Sequence, residues 1–168
     1  MNKQKTIYII SGPLGAGKTS VTQKLSSQLE NTVLIEGDFL FHQAEEIKKI
    51  SWDQRVALTW KNIIEISRNY VQAGLDVIID FVVEEELNWI KQNTKDLNVK
   101  IVYVVLMTNE ETLANRLNKR NEIQYLGRSL ELLQKLDTAE NSKFIIDTTD
   151  KSIEEIVQTI LNTNTFTV

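Results

Sequence analysis

Gly12-Pro13-Leu14-Gly15-Ala16-Gly17-Lys18-Thr19 meets the pattern G-x-x-x-x-G-K-[ST] at every fixed position. Those residue types suit a chain of phosphates. Glycines let the backbone turn tightly enough for successive N–H groups to converge on anionic oxygens, at a helix start whose dipole favours negative charge. Lys18 adds a full positive charge near the β- and γ-phosphates, and the Thr19 hydroxyl is a ligand for Mg2+. Ser20, next in the helix, joins this phosphate-binding set, so ATP and Mg2+ are the predicted cofactors.

Carboxylates follow in Glu36-Gly37-Asp38-Phe39-Leu40-Phe41-His42. If Asp38 opens on the same side as the phosphate loop, it can take the proton of an attacking hydroxyl, or hold Mg2+ through water. It can equally just cap a helix. Gly37 would let a substrate approach the backbone, or simply make a turn. Asp80 closes Val77-Ile78-Ile79-Asp80 in the manner of an acid serving a magnesium water shell; the bland reading is a cap or an ion pair to a loop lysine. Lys18 needs a counter-charge that either aspartate could supply.

Arg116 and Arg120, four apart on one helix face, and Arg128 beyond a short Gly-containing loop could neutralise the charge of a phosphoryl group in transfer. A lid over about residues 118–128 would carry them and exclude water. The alternative is that they are solvated or paired with acids such as Glu122 and Glu131. Asp147-Thr148-Thr149 either lines the adenine side or only starts a helix. Trp52, Trp60 and Trp89 read as core or groove wall. His42, the single imidazole, reads as a surface or substrate-pocket residue.

Positioning these groups requires strands alternating with helices. Five apolar, β-branched runs, Thr6 to Ile10, Thr32 to Ile35, Asp76 to Asp80, Val99 to Met107 and Lys143 to Asp147, read as buried parallel strands. Between them, Val56, Trp60, Ile63, Ile64 and Val71 mark one helix face, with Ser51 and Gln54 as a capping box and Gly74 as the stop. Thr108 with Glu111, and Ser152 with Glu155, predict two further helix starts. The last residues, from Asn162 on, carry no period and are expected to fray.

The chain has 168 residues, 42% hydrophobic and 25% charged, which fits one domain. With no Cys and one His, thiolate zinc sites, disulfides and multi-histidine metal sites are excluded. No apolar run reaches the roughly 20 residues of a spanning helix, and Met1 to Lys5 is polar, so a cytoplasmic protein without membrane contact is expected. The net charge of −4, with only scattered lysines such as Lys48 and Lys49, disfavours nucleic-acid binding. No Asn-Lys-x-Asp element of a GTPase is present.

The phosphate loop, Gly37-Asp38-Phe39-Leu40 with a histidine just beyond, and Arg116-x-x-x-Arg120 together resemble the small P-loop kinases related to gluconate kinase. Chloramphenicol phosphotransferase-like and shikimate kinase-like enzymes share that nucleoside monophosphate kinase-like fold. The resemblance implies a three-layer α/β/α P-loop domain, a five-stranded parallel sheet ordered 2-3-1-4-5, and transfer of the γ-phosphate of ATP to a hydroxyl of a small molecule. A sugar acid such as gluconate is the first acceptor implied, with Arg55 of Asp53-Gln54-Arg55 holding its anionic group and Asp38, His42 and Asp80 lining its pocket. The departures are Phe41, which displaces the family histidine by one position, and Ile123-Gln124-Tyr125-Leu126-Gly127 in place of a Gly-His-Phe lid element. Val-Ile-Ile-Asp looks more like kinases of polynucleotide ends or of antibiotics, which keeps as alternatives an antibiotic and a nucleotide or nucleic-acid end, the latter with Trp52 or Phe41 stacking on a base. A nucleotide-dependent switch is the non-enzymatic one. A monomer or a homodimer is expected.

Overall fold

A computed structural model describes residues 4–44 and 49–168; the first three residues and Lys48 lie outside the described part. Five strands, β1 (Thr6–Ser11), β2 (Thr32–Glu36), β3 (Asp76–Asp80), β4 (Lys100–Met107) and β5 (Ile145–Asp147), form one sheet ordered β2-β3-β1-β4-β5. Every strand pair is parallel. Ile7, Ile9, Ile10, Ile78, Ile79 and Leu106 are wholly buried, because crossover helices cover both faces of such a sheet.

The helices are α1 (Lys18–Gln28), α2 (Gly37–His42), α3 (Trp52–Gln72), α4 (Leu87–Thr94), α5 (Glu110–Lys119), α6 (Leu126–Leu136) and α7 (Ile153–Asn162). Helix α1 packs on α7, and α3 packs on α2 and α4. The capping boxes of α3 and α7 form as the spacing predicts, Ser51 with Gln54 and Ser152 with Glu155. Trp60, Ile63, Ile64 and Val71 face the core from α3. The start of α5 is one residue later than Thr108 suggests: the Asn109 side chain accepts the Thr112 N–H at 2.7 Å, while the Thr108 hydroxyl lies 3.3 Å from that of Thr149. Lys143 and Phe144 belong to a 3-10 turn rather than to β5.

The C-terminal residues do not fray. β5 pairs only with Val105 to Met107, so the first half of β4 would present a bare edge of N–H and C=O groups. The tail covers it: the Tyr103 N–H donates to the Phe166 carbonyl at 2.8 Å, the Val168 N–H donates to the Ile101 carbonyl at 3.2 Å, and Phe166 is 5% exposed. Periodicity could not show this, since one buried ring and two backbone bonds suffice. Phe166→Ala should therefore lower unfolding free energy by about 3 kcal/mol in a denaturant titration; a change below about 1 kcal/mol would mean that the tail is only draped on the edge.

Candidate active site

All five strands end at the same side of the sheet, where open α/β folds hold their ligands. There β1 passes into the loop Gly12–Gly17, and α1 begins at Lys18. Gly12 has φ +139°, and a Cβ on it would lie 2.3 Å from the carbonyl oxygen of Leu106, so any side chain would force β1 away from β4. The turn is closed by the Ala16 N–H on the Pro13 carbonyl at 3.2 Å. Lys18 Nζ donates to the carbonyls of Gly12 at 2.9 Å and Pro13 at 3.1 Å, placing its ammonium inside the curl of the loop. At Gly17, where α1 starts with φ +101°, a Cβ would meet nothing within 4 Å, so the mouth of the loop is open.

Thr19 Oγ1 donates to Asp80 Oδ2 at 2.8 Å, and Thr22 Oγ1 reaches the same oxygen at 3.4 Å. Asp80 is 5% exposed. Burial raises its pKa above the ordinary carboxylate value; the Lys18 charge and the Thr19 hydroxyl oppose the shift, and Asp38 and Glu36 add to it. Burial likewise lowers the Lys18 pKa, against the attraction of Asp80 and Asp38, with Arg120 lowering it further. Lys18, Asp80, Asp38 and Arg120 thus share one electrostatic neighbourhood. A hydroxyl beside a carboxylate is a hard oxygen donor set, and an open, lysine-centred amide loop is an anion cradle, so these residues fit Mg2+ and a nucleotide.

Asp38 stands exposed in the first turn of α2 and makes no hydrogen bond or ion pair to any described residue. Its side chain caps nothing, which removes the bland reading of it as an N-cap. Gly37 is buried against Phe81, whose Cβ would lie 2.5 Å from a Cβ on Gly37; the glycine serves strand-to-helix packing rather than substrate approach. His42 is exposed, its ring edge-on to Phe41 with centroids 5.8 Å apart.

The three arginines separate. Arg116 lies on the loop's outer side, donating to the Thr148 carbonyl at 3.0 Å, Thr148 Oγ1 at 3.2 Å and the carbonyls of Gly15 and Ala16 at 3.4 Å. Thr148 is buried and donates its own hydroxyl to the Ala16 carbonyl at 3.2 Å, so both residues brace the phosphate loop from the β5 side. Arg120 caps α5, its N–H donating to the Leu117 carbonyl at 3.1 Å, while its guanidinium has no hydrogen-bond or ion-pair partner among the described residues and its charge is felt at Lys18. Arg128 is elsewhere. At the start of α6 it pairs with Glu84 and with Glu131 at 2.9 Å, 5.9 Å from the Trp52 ring, and no hydrogen bond joins it to the loop. The segment expected as a lid is a tight turn, with Asn121 at φ +57° and a short 3-10 stretch over Ile123–Tyr125.

A groove of about 930 Å3 opens beside this centre, between α3, the residues after β3 and α6. Trp52, Trp60 and Trp89 all line it, as groove walls. Arg55 does not. Its guanidinium stacks 4.3 Å over Phe41 and 5.4 Å from Trp52, and Nε and Nη1 are covered and without hydrogen-bond partners among the described residues.

Three contributors escape a reading of the sequence by motif. Ser11 is buried; its Oγ accepts the Val83 N–H at 2.9 Å and donates to the Val83 carbonyl at 3.4 Å, tying the groove rim to the phosphate loop. Thr22 reaches Asp80, and its place three residues after Thr19 on a helix was the available signal. Glu84 is the hub of Arg128 and Lys135. The run Glu84-Glu85-Glu86 gives no hint of that.

A family profile for the AAA domain matches residues 7–139. The chain belongs to the AAA domain family. Over its whole length this AAA-domain chain is similar to a guanylate kinase of Wolbachia pipientis wMel, 28% identical across 96% of this chain and 92% of the relative. Among solved structures, it shares the fold of the Deinococcus radiodurans tunicamycin resistance protein, with TM-score 0.70, 18% identity and 95% of each chain covered. The same holds for the Mycobacterium tuberculosis APS kinase, with TM-score 0.68, 18% identity, and 96% and 98% covered. It holds too for a gluconokinase from Sinorhizobium meliloti 1021, with TM-score 0.68, 17% identity, and 95% and 92% covered. The fold is that of the P-loop kinases, with the sheet order expected for them. No helix among the described residues is long and apolar enough to cross a membrane.

The raised pKa of Asp80 has a measurable consequence. A carboxyl that prefers its proton when buried costs the folded state free energy once it ionises. Asp80→Asn should leave stability unchanged below the ordinary aspartate pKa and raise the melting temperature of nucleotide-free protein progressively as pH climbs from that ordinary value to the raised one, levelling off above it, while weakening Mg2+-nucleotide binding. A lower melting temperature at pH 8 would show that the Lys18 and Thr19 contacts outweigh burial.

Proposed function

We propose that this chain is an ATP-dependent kinase that transfers the γ-phosphate to a hydroxyl of a small molecule. The observation that carries this reading is the convergence of a lysine-centred phosphate loop, the Thr19–Asp80 pair and a structurally unemployed Asp38 at one edge of the sheet. The amides of Gly12 to Thr19 and the Lys18 ammonium hold the phosphate chain, with Ser20 in the first turn of α1 beside them. Thr19 would hold Mg2+, with Asp80 fixing its hydroxyl. The metal, when bound, supplies neutralisation of phosphate charge.

Asp38 is the base. Its carboxylate takes the proton of the acceptor hydroxyl as that oxygen bonds to the γ-phosphorus, and the bond from phosphorus to the β–γ bridging oxygen breaks to release ADP. Arg120 faces the charge that spreads over the transferring group. Arg116 and Thr148 hold the loop in shape and border the adenine side. His42, one turn along α2 from Asp38, borders the acceptor. A sugar acid has in its favour the fold shared with the gluconokinase. Arg55 itself, stacked between Phe41 and Trp52, acts by fixing the wall of the groove.

Release of ADP from ATP in a screen of sugar acids, nucleosides, shikimate and antibiotics, with Lys18→Ala as the blank, tests the activity. With the acceptor in hand, Asp38→Asn should lower kcat by about 10²- to 10⁴-fold while calorimetry finds ATP affinity within a few-fold of the unaltered protein. Undiminished turnover would remove Asp38 from the role of base.

A further inference from the structure

We propose that the groove between α3 and α6 is the acceptor site, and that it takes an alcohol built around a flat ring and bearing no net negative charge. This rests on the kinase reading above and narrows its acceptor. At about 930 Å3 the groove is near the top of the range of small-molecule sites, roughly 300–1,000 Å3. A compact sugar acid would leave most of it to water.

Its walls are rings. Trp52 on α3 and Tyr125 before α6 are each 51% exposed, large apolar faces left uncovered on two sides of the same opening, and Trp89 on α4 adds a third. Trp52 is held in place, its ring 4.9 Å from that of Phe41 and 5.4 Å from the Arg55 guanidinium. A stacking platform fixed in this way loses little freedom when a flat ring lands on it. Trp60 lines the groove at 1% exposure, and its indole N–H has no hydrogen-bond partner among the described residues.

Charge sets the second half of the specificity. Five carboxylates and three cationic side chains line the groove. Two of the cations are already committed: Arg128 to Glu84 and Glu131, Lys135 to Glu84 at 3.1 Å and Glu85 at 2.9 Å. Glu86 accepts the backbone N–H groups of Glu84 and Glu85 at 2.8 and 3.0 Å. That leaves Asp53 and Lys61 outside any ion pair among the described residues, and a surplus of negative charge across the opening. A phosphorylated or carboxylated acceptor meets like charge there, which suppresses binding more strongly than the lost contacts alone would. The two hydrogen bonds between Ser11, which precedes the phosphate loop, and Val83, which precedes Glu84 of the groove, tie this rim to that loop.

Quenching of tryptophan fluorescence reads the groove directly and needs no ATP. The full chain is titrated with uridine and guanosine, with their 5′-monophosphates, and with gluconate. A nucleoside should quench saturably, and its monophosphate and gluconate should bind at least about tenfold more weakly. Tighter binding of a monophosphate or of gluconate, or no saturable response to either nucleoside, would overturn the proposal. Asp53→Asn with Glu131→Gln, both at exposed positions, should narrow the gap between nucleoside and monophosphate several-fold; an unchanged gap would overturn the electrostatic part. Calorimetry with ATP is run separately. Intact groove binding without ATP binding would sink the kinase reading and leave the groove's preference standing.

Discussion

The electrostatic attraction between Lys18, at the start of α1, and buried Asp80, at the end of β3, is the interaction on which the rest depends. Burial disfavours the charged form of each, and each is the other's chief compensation. The Gly12 and Pro13 carbonyls hold the ammonium from one side, and the Thr19 hydroxyl holds the carboxylate from the other. Such a pair adds little to stability. It suits a site that must exchange internal contacts for those of an incoming phosphate chain, because the polar groups are already desolvated and oriented before the ligand arrives.

Around that pair the fold acts as a frame. Parallel pairing of β1 with both β3 and β4 puts the phosphate loop and Asp80 at one level, with Ile10 opposite Asp80 across the ladder. Gly12 permits the close contact with Leu106 that this level demands. Arg116 and Thr148 reach the loop from the far side, so it is braced from β3 and from β5 at once. The C-terminal strand-like tail completes the same sheet at its other end, where β5 is too short to cover β4.

The groove and the phosphate loop are two sites joined by few atoms. Ser11, the last residue of β1, bonds Val83, and Val83 is followed by Glu84, which takes Arg128 and Lys135 of α6. In this arrangement Arg128 belongs to the walls of the groove, and Arg120 is the arginine whose charge is felt at Lys18.

The phosphate loop, the five strands and both capping boxes were legible in the residues alone, because each rests on local physics: backbone freedom at glycine, alternation or continuity of apolar side chains, and hydroxyl-to-amide spacing within one turn. Asp38 and Asp80 could be named but not told apart, since their difference is burial, which depends on what packs over each strand end. The arginines at 116, 120 and 128 look equivalent as letters, and the crossing of α5 and α6 sends them to three different neighbourhoods. The tryptophans could be named as wall or core, but not assembled into a groove, for its walls come from α3, α4 and the turn before α6, segments that only the closed fold brings face to face. Local chemistry was thus determined by sequence, and its partition among neighbours was decided by tertiary packing, because charge and exposure are properties of surroundings rather than of spacing.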